Sequence, residues 1–182
     1  YIPVGSAITS YSRNFTIRSA QANFYGVENR GFKYADTDSI HCDLKPDDIQ
    51  GIVVHDKNFC CWKLESCWDY GIFARQKTYI EHVTHENLKE IESPYYNIKC
   101  AGMPQRSKLW FLFSMLGKKA EDLTEEEKEM LGVKEFKQEE IEFLMKKRTI
   151  EDFKIGLKVP GKLMPKRIPG GTVLIETTYE MR

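Results

Sequence analysis

The chain has 182 residues, of which 41% are hydrophobic and 30% are charged, so it can bury the core of one globular domain or slightly more. Lysine plus arginine and aspartate plus glutamate both number 27, which excludes a global basic field for nucleic acid but permits a local basic surface. Without a membrane-length apolar run or a signal peptide, the chain is expected to be cytoplasmic and to have no membrane partner.

The first predicted element is a helix over about residues 6–25. Ile8, Tyr11, Phe15 and Ala22 follow one another at spacings of three, four and seven residues, and no proline interrupts them. This period is typical of one face of a helix. A Gly-containing break at residues 29–31 separates the helix from the next segment.

Residues 34–41 read Tyr-Ala-Asp-Thr-Asp-Ser-Ile-His and predict a strand, a tight turn and a second strand. Turn-forming residues lie between apolar ones, so both acids, Asp36 and Asp38, would lie at the turn. Two neighbouring carboxylates repel and raise each other's pKa, and a hard cation such as Mg²⁺ between them removes that cost. A divalent metal is therefore the predicted partner. The alternative is an Asx-type turn without an ion.

The middle of the chain predicts further strands. Asp47 and Asp48 favour one helical turn, and residues 62–65 and 70–80 favour two strands, the second of which is long, aromatic and basic at its centre. Residues 86–94 would form a polar connection before one more strand over residues 95–100.

The composition shifts to a helical pattern after residue 104. Residues 107–116 are strongly apolar, and residues 118–148 carry dense mixed charge at helical spacings. Thr124 with Glu127 predicts a capping box, and Gly132 predicts the end of that helix. The simplest interpretation of the charged run is a solvated helical hairpin.

The last segment, residues 149–182, predicts a small β-rich unit in which glycines and prolines separate short strands and residues 172–181 form a terminal strand. Five of its basic residues have no acids between them, which suits contact with a phosphate backbone. These residues are Lys154, Lys158, Lys162, Lys166 and Arg167. The alternative is that lysines protect exposed strand edges from aggregation.

Together these segments resemble the protein-primed family B DNA polymerases of tailed bacteriophages, adenoviruses and linear plasmids. Residues 34–39 resemble the third polymerase motif of that family, which is Tyr, a small residue and Asp-Thr-Asp-Ser. Residues 77–79, Lys-Thr-Tyr, resemble its Lys-x-Tyr motif. The helix over residues 8–21 and the tail over residues 162–173 are similar to the same polymerases.

The resemblance implies nucleotidyl transfer at two Mg²⁺ ions about 3.5–4 Å apart, which stabilise the attacking and leaving oxygens. Asp38 would be the main metal ligand of this motif, and Asp36 a weaker or outer-shell contributor. Thr37 and Ser39 would fix the turn. Tyr34 would pack on the strand beneath the site, with contact to the primer strand as the alternative.

The resemblance also implies a DNA-binding strip. Lys77 and Tyr79 would lie two residues apart on one strand and project from the same face. Lys77 would neutralise phosphate near the primer terminus, Tyr79 would contact the primer backbone or its terminal sugar or base, and Arg75 would extend the strip. The alternative is an exposed strand with a packed tyrosine. The cations expected to hold the duplex product without reading sequence are Lys162, Lys166 and Arg167.

The expected fold class is α+β, with an antiparallel palm sheet backed by helices over residues 1–104, a helical insertion over residues 105–148 and a small β-rich thumb over residues 149–182. The family's other metal-binding aspartate and its triphosphate-binding lysine do not lie in these 182 residues, and the chain opens on Tyr1. We therefore expect a C-terminal fragment of a DNA-directed DNA polymerase that is inactive alone. Its implied partners are primer-template DNA, dNTP and a terminal priming protein.

Two other functions fit parts of the pattern. A non-catalytic module could hold DNA or a terminal protein with the same basic residues. An Asp-x-Asp turn also binds the metal of nucleotide-sugar glycosyltransferases, but that class leaves residues 77–79 and the basic tail unexplained.

Overall fold

The computed structural model describes every residue from 1 to 182. It contains four α-helices and seven β-strands, and the strands form three separate sheets. The chain folds into two compact units. The first unit consists of Tyr1–Trp68 and Thr84–Pro94, and the second consists of Asp69–Val83 and Tyr95–Arg182. The predicted mixture of helices and antiparallel strands is confirmed. No helix combines the length and the apolar character that a bilayer span requires.

Helix α1 runs from Ile2 to Ala22, so it begins and ends a few residues before the predicted bounds. Pro3 lies in the first turn of the helix, where a proline is tolerated, and the helix ends where the chain turns at Asn23. The buried Asn23 amide donates to the Ser19 carbonyl at 2.8 Å and to the Gln50 carbonyl at 2.9 Å. These bonds tie the end of α1 to a neighbouring loop of the first unit.

The buried face of α1 is polar. Thr16 and Ser19 are its buried residues, whereas Ile8 and Tyr11 from the predicted apolar stripe are exposed. Phe15 is the member of that stripe that packs, because its ring stacks on Trp62 at a centroid distance of 5.4 Å.

The first five strands have the following bounds: β1 Phe32–Asp36, β2 Ser39–Cys42, β3 Ser66–Arg75, β4 Thr78–Glu86 and β5 Lys89–Cys100. Strands β1 and β2 form an antiparallel two-stranded sheet, and β3, β4 and β5 form a three-stranded sheet in that order. Two-residue turns join β3 to β4 and β4 to β5, and such short turns connect only antiparallel neighbours. The strands of residues 1–104 therefore form two small sheets, where the sequence predicted one.

Three predictions for this region are wrong. Residues 62–65 form no strand, since only Trp62 makes a β-bridge, to Val54. Residues 70–80 are a hairpin and not one strand, because the chain turns at residues 76–77. Residues 86–94 are mostly strand, because Asn87 and Leu88 alone make the turn, with φ of 47° and 64°, as a type I′ hairpin requires. The helical turn predicted near Asp47 is confirmed as Pro46–Asp48.

The helical segment supplies seven of the fifteen buried apolar residues in the core of the second unit. Its helices are α2 Gln105–Met115, α3 Glu125–Leu131 and α4 Gln138–Met145. Trp110 and Phe111 of α2 have no exposed surface, so the apolar start of this segment packs inward. The capping box of Thr124 and the left-handed Gly132 at the end of α3 are confirmed. The charged run is not a fully solvated hairpin, because α4 buries Phe143 among these helices.

The last element is one long antiparallel hairpin and not a series of short strands. Its strands are β6 Lys158–Ile168 and β7 Gly171–Glu180. Pro169 and Gly170 connect them, and Gly170 has the φ of 88° that the third residue of a type II turn needs. The base is buried at Val159 and Tyr179, whereas the tip is exposed on both faces.

A bulge in β6 fits the hairpin against α2. The pairing register shifts between Val159 and Lys162, so Pro160 and Gly161 leave the ladder there. The Ser107 hydroxyl of α2 donates to the Pro160 carbonyl at 2.7 Å. This hydrogen bond anchors the hairpin to the helical segment within the second unit.

Candidate functional site

The acidic motif lies at the tip of the β1–β2 hairpin, and the predicted strand, turn and strand are confirmed there. Asp36 ends β1 and pairs with Ser39, which begins β2, so Thr37 and Asp38 form the turn. Tyr34 lies on β1, where its ring meets His41 edge-on at 5.4 Å.

The turn at Thr37 is very tight. The Asp36 carbonyl accepts the Asp38 backbone N–H at 2.6 Å, and Thr37 between them has a φ of 52°. A β-branched residue rarely adopts a positive φ, and such backbone persists only where its surroundings hold it. The Ser39 hydroxyl donates to the Asp36 carbonyl at 3.1 Å, and the Thr37 hydroxyl donates to the Asp36 carboxylate at 3.0 Å. The motif's own hydroxyls thus secure the turn.

Helix α1 holds the same turn from below. The hydroxyl of Thr16, which is buried, donates to the Thr37 carbonyl at 3.1 Å and also lies 3.2 Å from the Ser12 carbonyl of its own helix. Sequence reasoning missed Thr16, because a threonine in a helix gives no signal of a partner 21 residues away. The acidic turn is therefore fixed by the helix as well as by its hairpin.

The two carboxylates differ in their surroundings. Asp38 is exposed, whereas Asp36 is half-buried and has one oxygen engaged by Thr37. Two oxygen donors at one fixed turn suit a hard divalent cation. No cluster of three or more histidine, cysteine or acidic residues that could hold a metal is present in the chain. The turn therefore fits part of a metal site and would need further ligands to complete one.

Lys77 does not lie on a strand, which corrects the prediction that it shares a strand face with Tyr79. It is the second residue of the turn between β3 and β4, with a φ of 57°, and its carbonyl accepts the Ala101 N–H at 2.9 Å. Tyr79 lies on β4 and contacts the Phe73 ring at 5.6 Å. Arg75 ends the opposite strand, β3, so it does not continue the alternation of Tyr79 either.

The cations of the β6–β7 hairpin divide between its two faces. Lys162 pairs with Thr177 and Lys166 with Val173, which places both lysines on one face, while Arg167 lies on the other. Two further lysines of the segment precede β6 or begin it: Lys154 and Lys158. Glu176 lies on the same face as Arg167, and its carboxylate forms an ion pair with the Lys137 ammonium at 2.6 Å.

One residue of the second unit contacts two of the predicted DNA-binding cations. The Lys162 ammonium lies 6.0 Å above the centre of the Tyr179 ring, and the Arg75 guanidinium hydrogen-bonds the Tyr179 hydroxyl. The acids of the turn belong to the first unit, whereas Lys77, Tyr79 and the hairpin cations belong to the second. Sequence reasoning did not identify Tyr179, because its partners are far away along the chain.

Comparison with known proteins finds that this chain is similar to phage DNA polymerases. The DNA polymerase of Streptococcus phage Cp-1 is 31% identical over 182 residues, which cover 100% of this chain and 24% of that protein. The DNA polymerase of Bacillus phage PZA is 29% identical over 196 residues, which cover 100% of this chain and 26% of that protein. The chain thus spans about a quarter of the length of these relatives. No protein-family model matches it.

Solved structures of phi29 DNA polymerase are also similar to this chain. Phi29 DNA polymerase complexed with primer-template DNA superimposes with a TM-score of 0.61 at 28% identity, covering 100% of this chain and 26% of that one. Its ternary complex with primer-template DNA and incoming nucleotides gives a TM-score of 0.62 at the same identity and coverage. This chain is homologous to a segment of the phi29-type, protein-primed family B DNA polymerases, which confirms the resemblance found in the sequence.

Proposed function

We propose that this chain is the C-terminal palm and thumb part of a cytoplasmic DNA-directed DNA polymerase, with the palm in residues 1–104, a helical insertion in residues 105–148 and the thumb in residues 149–182. The observation that carries the proposal is the Asp-Thr-Asp turn, fixed by Thr16, Thr37 and Ser39, in a chain whose whole length aligns with phage DNA polymerases. The reaction would transfer a nucleotide from dNTP to a primer 3′-hydroxyl or to a protein primer.

Asp38 and Asp36 would hold Mg²⁺ in the complete enzyme, together with ligands outside this chain. Bound divalent ions would neutralise the charge that develops on the attacking and leaving oxygens. The protein's contribution is orientation, because the hydrogen bonds of Thr37 and Thr16 keep the two carboxylates at the hairpin tip. Asp38 would be the main ligand, since it is exposed and Asp36 already accepts a hydrogen bond.

The proposed partners are primer-template DNA and dNTP, the partners with which phi29 DNA polymerase has been solved. A terminal priming protein is proposed from the family resemblance. Lys77, Tyr79 and Arg75 would contact the primer strand near the β3–β4 turn, and the β6–β7 hairpin would hold the duplex product. Contact through phosphate oxygens would make that grip independent of sequence.

The test is primer extension by the full-length open reading frame that contains this chain, in Mg²⁺ with all four dNTPs and a labelled primer-template. We expect the full-length protein to extend the primer and the 182-residue chain to leave it unextended. A full-length protein that binds DNA without extending it would replace this proposal with a non-catalytic binding module. A protein that neither binds nor extends DNA would refute both functions.

The hairpin lysines are expected to contribute to DNA affinity through charge alone. Lys162→Ala with Lys166→Ala should weaken binding of unrelated duplex sequences equally, and should reduce the slope of log Kd against log salt by about two, because each lysine would neutralise one phosphate. Fluorescence anisotropy at several salt concentrations measures both quantities. The matched control removes two exposed lysines beyond α4, Lys146 and Lys147. An equal reduction of the slope in that control would argue against a specific role of the hairpin face.

A further inference from the structure

The hydroxyl of Tyr179 belongs to a hydrogen-bond network that also includes Thr78, Cys100 and Ala101. Tyr179 lies on β7 with 5% of its surface exposed, and its hydroxyl lies 3.3 Å from the Cys100 sulfur and 3.5 Å from the Ala101 carbonyl. The buried Thr78 hydroxyl donates to the same sulfur at 3.8 Å. One donor order satisfies every group: Thr78 to Cys100, Cys100 to Tyr179, and Tyr179 to the carbonyl. The network joins the base of the β6–β7 hairpin to the start of β4 and the end of β5.

Tyr179 also contacts two cations from different strands. The Arg75 guanidinium at the end of β3 hydrogen-bonds its hydroxyl, and the Lys162 ammonium of β6 lies 6.0 Å above its ring. Burial and the bond to Cys100 raise the pKa of Tyr179 to about 12 despite the opposing effect of Arg75. Its hydroxyl therefore stays protonated at neutral pH and keeps both its donor and its acceptor roles. The ring face supplies the negative quadrupole that attracts an ammonium.

The same network reaches the Lys77 turn. Ala101, whose carbonyl accepts from Tyr179, donates its N–H to the Lys77 carbonyl at 2.9 Å. Arg75 and Thr78 flank that turn along the chain. The backbone of Lys77 has a φ of 57°, a conformation that its own sequence does not favour, so contacts from outside the turn must stabilise it.

We infer that Tyr179 is a positioning residue for the DNA-binding surface: its hydroxyl orients Arg75 beside the Lys77 turn and its ring orients Lys162 on the hairpin. The inference rests on the proposed DNA grip and adds to it a residue that does not touch DNA. A guanidinium and an ammonium held in place lose less side-chain freedom when they meet phosphate, so their fixed orientation increases affinity.

Two substitutions separate the two interactions of Tyr179. Tyr179→Phe removes the hydroxyl and keeps the ring, whereas Tyr179→Leu removes both. In the full-length protein, Tyr179→Phe should raise the Kd for a primer-template duplex about two- to fivefold and reduce the salt slope by about one. Tyr179→Leu should reduce the slope by about two, because Lys162 is then released as well. Tyr70→Phe, which removes the hydroxyl of an exposed tyrosine on β3, is the matched control.

A double-mutant cycle with Arg75→Ala provides the decisive measurement. If the Tyr179 hydroxyl acts through Arg75, Tyr179→Phe combined with Arg75→Ala should weaken DNA binding no more than Arg75→Ala alone. Additive effects, or weaker binding with an unchanged salt slope, would show that Tyr179 only stabilises the fold and would overturn the inference. The wild-type protein distinguishes the two levels of the proposal, since its failure to bind DNA at all would overturn the proposed function and this inference with it.

Discussion

Asp38→Asn in the full-length protein is expected to lower the rate of Mg²⁺-dependent primer extension by about a thousandfold. A metal site that loses its main carboxylate loses several kcal/mol of transition-state stabilisation, and about 4 kcal/mol corresponds to three powers of ten in rate. Single-turnover extension of a labelled primer at saturating dNTP measures that rate directly. DNA affinity measured without metal should change little, because the acid would act on the metal and not on the phosphates.

The asparagine is a fair replacement because it keeps the size of the side chain at an exposed position of the turn. Asp36→Asn should have a smaller effect, since one Asp36 oxygen already accepts the Thr37 hydroxyl. Asp47→Asn is the matched control, because it removes an exposed acid from the same unit and should leave the rate unchanged. If Asp38→Asn extends the primer at the wild-type rate, Asp38 is not a metal ligand and the proposed mechanism is wrong.

Thr16 links this prediction to the fold. Thr16→Val would keep the shape of the side chain and remove the hydrogen bond to the Thr37 carbonyl, which helps to hold the turn. Both acids would still be present, but the turn that orients them would lose a support from α1. The hairpin and the helix together fix the position of the two carboxylates, and a metal site needs that position as well as the carboxylates themselves.

The acidic hairpin was predictable because its signals are local. Four consecutive turn-forming residues lie between strand-forming ones, so the strand, the turn and the placement of both acids follow from neighbouring side chains. The capping box at Thr124 was predictable for the same reason, since its two partners lie three residues apart. Sequence reasoning succeeded where the stabilising interaction lies within a few residues.

The Lys77 turn was not predictable in this way. Residues 76 and 77, Gln-Lys, include no glycine, proline, asparagine or aspartate. Aromatic or basic residues occupy every second position from Phe73 to Tyr79, as they would on one face of an uninterrupted strand. The turn is supported by a hydrogen bond from Ala101, beyond the next two strands. Tyr179 shows the same limit, because the bond to Cys100 joins residues 79 positions apart. Such interactions exist only after the chain has folded.

Gly161→Ala is expected to destabilise the chain by about 3 kcal/mol, which combines about 1–2 kcal/mol for a positive φ with a similar term for overpacking. Gly161 has a φ of 91° in the β6 bulge, where an added Cβ would lie 2.9 Å from a Trp110 ring carbon and 3.2 Å from the Ser107 backbone nitrogen. Neither neighbour can yield easily, because Trp110 is fully buried and Ser107 also binds the Pro160 carbonyl.

A second glycine makes the steric part of this prediction measurable. Gly170 has a φ of 88° at the hairpin tip, but a Cβ there would meet nothing within 4 Å. Gly170→Ala should therefore cost only the backbone term, about 1–2 kcal/mol, and urea unfolding of both variants gives the difference. Equal destabilisation would show that the packing between the bulge and α2 is loose. A larger destabilisation at Gly161 would show that this packing sets the position of the hairpin, and DNA binding should then weaken together with stability because Lys162 follows the bulge directly.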